Sequence, residues 1–166
     1  MIDWAKNKNG IITASWHVTV PKNFASYNVG DKVDYSQATY SVKDDNGNYV
    51  SDFDTSKAII EGEKEYEYYM ACLETLAASI KRLQDENIPI ILRPLHEAEG
   101  GGGEEGSWFW WGKSGSAVYK ELWKLTYKTL TEDYGLHNII WEWNSYAYST
   151  SANWYPGDEY VDIVAY

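Results

Sequence analysis

IPIILRPLHE, residues 88–97, decides the fold. Apart from Arg93 and two prolines its first eight residues are Ile or Leu, the continuous apolar run expected of a parallel strand covered on both faces. Polarity returns only at its carboxyl end, on His96 and Glu97. Upstream, within residues 56–87, Tyr69, Leu73, Leu76, Ile80 and Leu83 recur at three- and four-residue spacings, which predicts a helix that stops near Asn87 and Pro89. Downstream, Val118, Leu122, Leu125 and Leu130 predict a second helix over about 116–132, with Gly135 as its stop. GIITASWHV (10–18), HNIIWEWN (137–144) and YVDIVAY (160–166) read as three further strands. Strands separated by crossovers of this length pair in parallel, so the chain is α/β and forms one domain. In such folds the chemistry lies at the carboxyl ends of strands. Trp16 and His17, His96 and Glu97, and Trp143 and Asn144 are therefore expected on one side of the sheet.

Composition narrows the partner. A formal net charge of −11 argues against nucleic acid or an anionic membrane surface, both of which need clustered Lys and Arg. No run of 18 apolar residues offers a membrane span. The single cysteine, Cys72, falls in the first predicted helix and reads as a small buried side chain, without a disulfide framework or CxxC motif. His17 and His96 lack the HExxH or HxH spacing of a metal site, and no metal or cofactor is expected. Nine Trp and fifteen Tyr stand against only three Phe. Buried Trp and Tyr must each find a partner for a polar atom, so this bias suits a wet site that stacks on sugar rings. Residues 19–55, polar and rich in turn signals, are too long for a linker and read as a functional loop.

Glu97 admits two readings. It caps a loop or pairs with Arg93, or it is a general acid/base kept protonated by an apolar aromatic wall. His17 and His96 fit substrate hydrogen bonding or orientation of a carboxylate. In SWFWWG (107–112), Trp108 is the preferred sugar platform, whereas Trp110 and Trp111 divide between core and site. Glu104 and Glu105 read as a solvated loop tip, and His137 as structural.

RPLHE followed by WFWWG resembles the signature of glycoside hydrolase family 26, best known for endo-β-1,4-mannanases. SWH at 15–17 and WYPGDEYVDIV at 154–164 are similar to two further family segments in the same order. The resemblance implies a (β/α)8 barrel that cleaves internal β-1,4-mannosidic bonds of mannan or galactomannan with retention. With 166 residues the chain falls below the roughly 200 of a complete barrel. It reads as one partial catalytic domain over 1–166, roughly strands three to six with their helices. By the same resemblance Glu97 is the acid/base, His96 contacts the sugar or the nucleophile, His17 contacts the substrate, and Trp108 lines a subsite. Trp143 and Asn144 join them as strand-end sugar contacts, with Arg93 and Trp111 in support. The gap AEGGGGEEGS between Glu97 and Trp108 is longer than the family's, as an inserted loop would make it.

Retaining hydrolysis needs a second carboxyl group about 5–5.5 Å from the first. The family nucleophile lies on a later strand, beyond residue 166. Alternation points Glu142 away from whichever face Trp141 and Trp143 take, and Asp162 sits before the end of its strand. Two alternatives stay open: a noncatalytic β-glycan-binding piece, and a hydrolase of another β-glycan such as xylan or mixed-linkage glucan. A polymeric substrate implies secretion.

Overall fold

The computed structural model describes residues 1–103, 106 and 108–166, so the expected loop tip at Glu104 and Glu105 lies outside the described residues. Among the described residues six strands and three α-helices follow one another as α1 (Ile2–Lys8), β1 (Ile12–Trp16), β2 (Val20–Pro21), β3 (Ala38–Thr39), α2 (Lys64–Gln84), β4 (Ile90–Pro94), α3 (Gly115–Lys128), β5 (Ile139–Asn144) and β6 (Ile163–Ala165). The four strands read from the sequence form one sheet in the order β1–β4–β5–β6, every pair parallel. Trp16 lies opposite Pro94 and Leu92 opposite Trp141, so the carboxyl ends of neighbouring strands gather on one side.

Alternation along the strands sorts the sheet into two faces. Ile12, Ile90, Leu92, Trp141 and Trp143 are buried in the core that α2 and α3 cover. Trp16 packs on Tyr69 of α2, and Trp141 on Trp123 and Tyr127 of α3. The Tyr69 hydroxyl meets Thr126 Oγ1 at 2.6 Å and joins the two helices. The opposite face carries Thr13, Ser15, Ile91, Arg93, Glu142 and Asn144, which line an open hollow of about 340 Å³.

Helix α2 starts eight residues later than the periodicity predicts. Thr55–Ile59 form a separate 3-10 turn, and Gly62 at φ 88° breaks the chain before Lys64. Helix α3 ends in a π turn over Thr129–Asp133, which brings Leu130 into the core. Cys72 is half-buried on α2 rather than fully enclosed. The long segment after β1 is a built loop: Phe24, Phe53, Tyr27 and Tyr68 pack together, and Asp52 accepts from the backbone N–H groups of Phe24 and Ala25. Its residues 40–42 then hold the aromatic stretch, because Val42 N donates to Trp108 O at 2.9 Å and Trp110 N to Tyr40 O at 3.0 Å.

Candidate active site

Two residues in a left-handed backbone conformation shape the turn after β4. Leu95 (φ 45°) and Glu97 (φ 55°) both occupy a region that costs a non-glycine residue on the order of 1–2 kcal/mol. Such conformations persist where the surroundings fix them. Here Leu95 is fully buried and its carbonyl accepts from the Tyr119 hydroxyl at 3.1 Å. The His96 carbonyl accepts from Trp111 Nε1 at 2.8 Å. The turn returns the Glu97 side chain to Arg93, four residues earlier on β4.

Arg93 is the hub. Its Nη2 donates to Glu97 Oε1 at 3.0 Å and to Asn144 Oδ1 at 2.9 Å, and its Nη1 donates to Ser15 Oγ at 3.0 Å. Its Nε lies 3.8 Å from Glu142 Oε1. One guanidinium thus ties β1, β4 and β5 together beneath Glu97. The other carboxylate oxygen, Oε2, accepts from the Tyr146 hydroxyl at 3.0 Å. Burial, then the hydrogen bond to Glu97 and its charge, push the Tyr146 hydroxyl up to about 12, so it stays a proton donor near neutral pH. The apolar wall expected around Glu97 is not what the structure shows: the side chain is 27% exposed and its direct partners are polar.

His96 is buried beside it. Desolvation lowers its pKa to about 4, helped by the charges of Arg93 and His17, so the imidazole is neutral near pH 7. Its Nε2 lies 3.1 Å from Nε2 of the exposed His17, so one ring donates and the other accepts. Tyr40 and Phe109 stand edge-on to His17 at 5.3 and 5.8 Å between ring centres.

The aromatic run divides by role. Trp110 and Trp111 are core: Trp110 Nε1 donates to Val18 O at 2.9 Å, and Trp111 stacks on Phe109 at 4.5 Å. Trp108 is 43% exposed and meets the Tyr146 ring edge-on at 5.6 Å, which leaves indole surface open beside Glu97. Gly100 permits this, since a Cβ there would come within 2.5 Å of the Trp108 ring.

His17, His96, Glu97, Arg93, Asn144 and Trp108 therefore converge, with Trp111 beneath them. Trp143 does not join them. It lies on the helix-covered side, 5% exposed and packed against Tyr155, because alternation places it with Trp141 and opposite Asn144. Two residues of the group are absent from the sequence reading: Tyr146, on the loop after β5, and Glu99, whose carboxylate is buried behind that loop. Among the described residues no three His, Cys, Asp or Glu side chains cluster as metal ligands.

The sequence profile described as glycosyl hydrolase family 26 matches residues 1–166. A mannan endo-1,4-β-mannosidase of Thermothelomyces thermophilus is 35% identical over 161 residues, which cover 95% of this chain and 29% of that protein. A crystal structure of a ruminal family 26 endo-β-1,4-mannanase is 51% identical, with a TM-score of 0.91 over 98% of this chain and 33% of its own. The β-mannanase from a symbiotic protist of the termite Reticulitermes speratus, solved with gluco-manno-oligosaccharide, is 30% identical with a TM-score of 0.78 over 98% of this chain and 45% of its own. The chain spans less than half the length of each. Its parallel strands and covering helices are those of a partial (β/α)8 barrel.

Proposed function

Because the chain belongs to glycosyl hydrolase family 26, we propose that it carries the acid/base half of a retaining endo-β-1,4-mannanase site, with Glu97 as the acid/base. The observation that supports this most is a strand-end carboxylate held on both oxygens, by Arg93 and by Tyr146, next to the open face of Trp108. In its acid form Glu97 gives a proton to the glycosidic oxygen while a second carboxylate attacks the anomeric carbon and the C–O bond breaks. Glu97, then ionised, takes a proton from the water that releases the glycosyl group. Trp108 offers a stacking face to a sugar ring beside the scissile bond, and His17, His96 and Asn144 offer polar contacts along the same rim.

The attacking carboxylate is proposed to lie outside residues 1–166. Among the described residues, Glu142 lies two residues before the carboxyl end of β5, Asp162 accepts from Trp141 N at 2.8 Å, and Glu99 is buried. Those placements favour a second reading for the isolated chain, which would bind β-glycan without cutting it. The substrate proposed is mannan or galactomannan, with xylan and mixed-linkage glucan as comparison polymers. Such polymers do not enter cells, so an extracellular site of action follows from the proposal.

The test is reducing-sugar release from galactomannan, xylan and mixed-linkage glucan by the longer protein that contains this chain, with and without Glu97→Gln. Preferential release from galactomannan, reduced about 10²–10⁴-fold by the substitution, is the expected result. Full activity in Glu97→Gln would remove Glu97 from the chemistry. Cutting by residues 1–166 alone would overturn the absent nucleophile.

A further inference from the structure

Glu99 stands two residues beyond Glu97 on the same turn, yet its carboxylate is buried rather than open to the cleft. It is 2% exposed. A buried carboxylate persists only where donors compensate its lost hydration. Its donors come from the loop after β5: Tyr146 N at 2.5 Å, Ser145 Oγ at 3.1 Å and Ser151 Oγ at 3.0 Å, all to Oε1. The Oε2 atom is buried and has no hydrogen-bond partner among the described residues.

The same two serine hydroxyls also reach the Tyr146 carbonyl, Ser145 at 2.9 Å and Ser151 at 2.5 Å. Each hydroxyl has one proton and two acceptors in range, so the pair bridges Glu99 and the Tyr146 carbonyl. Tyr146 is in this way gripped at both its backbone groups, N–H and C=O. It is also the residue whose hydroxyl reaches Glu97 Oε2. The start of the loop is tied down separately, Ser145 N donating to Ala165 O at 2.9 Å. The turn that carries both glutamates has its own bonds, Gly100 N to Glu97 O at 3.0 Å and Gly102 N to Glu99 O at 2.9 Å. The spacing from acid to clamp is therefore set within one turn.

We propose that Glu99 is a positioning residue, which grips the Tyr146 backbone and so keeps the Tyr146 hydroxyl on Glu97. The terminal torsion of a glutamate is broad and nearly twofold, so an unrestrained carboxyl group rotates freely. Arg93 on one oxygen and Tyr146 on the other hold it in one plane. Loss of Glu99 frees the loop, Tyr146 drifts, and Glu97 delivers its proton to the leaving oxygen less often. This inference rests on the acid/base role proposed above for Glu97.

Leaving-group dependence tests it. A sugar alkoxide leaves poorly and needs the acid, whereas 2,4-dinitrophenolate leaves without one. In the longer protein, kcat/KM is measured for a manno-oligosaccharide and for 2,4-dinitrophenyl β-mannobioside. Glu99→Ala and Tyr146→Phe are each expected to lose about tenfold or more on the oligosaccharide and no more than about threefold on the activated substrate. The double variant is expected to match the worse single variant, since both act through one contact. Glu99→Gln keeps an oxygen acceptor for Tyr146 N and is expected to restore most of the loss. Equal losses on both substrates, additive losses, or an unaffected Glu99→Ala would overturn the inference. Should Glu99→Ala not fold, Tyr146→Phe against Glu99→Gln decides by the same ratio of substrates. Glu97→Gln run alongside separates the two claims. If it shows the leaving-group-selective loss and Glu99→Ala does not, the positioning role alone fails. If Glu97→Gln loses nothing on the oligosaccharide, the acid/base reading fails and takes the positioning role with it.

Discussion

His96 shows what burial does to one titratable group in this protein. Its folded-state pKa of about 4 lies below the ordinary 6.5, because the buried ring loses hydration and faces Arg93 and His17. The unfolded chain therefore takes up a proton as pH falls below 6.5, and the folded chain does not until about 4. The stability this group contributes is complete above pH 6.5 and is lost progressively down to about 4. A shift of that size corresponds to roughly 3 kcal/mol. His96→Asn removes the titrating ring, so its unfolding free energy is expected to fall less than that of the unsubstituted protein between pH 7 and pH 4, by about that amount. Urea denaturation at both pH values reads the difference; parallel pH dependences in the two proteins would mean that His96 is not held neutral.

At the scale of the element, the turn after β4 is packed from behind by glycine. A Cβ on Gly112 would lie 2.1 Å from the Ala98 carbonyl oxygen, and one on Gly106 would lie 2.0 Å from the same atom. Backbone on both sides leaves nothing that can swing aside. Gly112→Ala is therefore expected to cost about 1–3 kcal/mol and to displace the residue next to Glu97. A lowered melting temperature, together with reduced release of sugar from galactomannan by the longer protein if the proposed activity holds, checks this, and an unchanged melting temperature would refute it. The motif at 108–112 is legible in the sequence, but the reason for its last glycine is not, because Ala98 comes into contact only through the fold. The four core strands are legible because each is an apolar run bounded by turns. The start of α2 is not, since Ala58 and Ile59 extend the segment's apolar character upstream of the break at Gly62. Strand-end position alone does not say which face a side chain takes. The alternation that separates Glu142 from the tryptophans also sends Trp143 into the core. Tyr146 and Glu99 escape a linear reading for another reason: they stand 47 positions apart in the chain, and only the pairing of β4 with β5 brings their loops together.

At the scale of the whole molecule, the sheet has two outer strands. Among the described residues β1 pairs only with β4, and β6 only with β5. Ile11 and Val164, at or beside these strands, are largely exposed. Unpaired strand edges template pairing with other chains. The 166-residue chain prepared alone is therefore expected to self-associate, its weight-average mass in sedimentation equilibrium rising with concentration, whereas the longer protein stays at one mass. A concentration-independent monomer of the short chain would show that its edges are adequately protected. The bond from Trp110 Nε1 to Val18 O has a different consequence. It joins residues 92 apart in the chain, so the segment that frames His17 is synthesised long before the ring that fixes it. Contacts at such separation form slowly, since a long loop must close before they are rewarded. On the ribosome, then, this rim of the cleft would be made well before Trp110 and would take shape only after it.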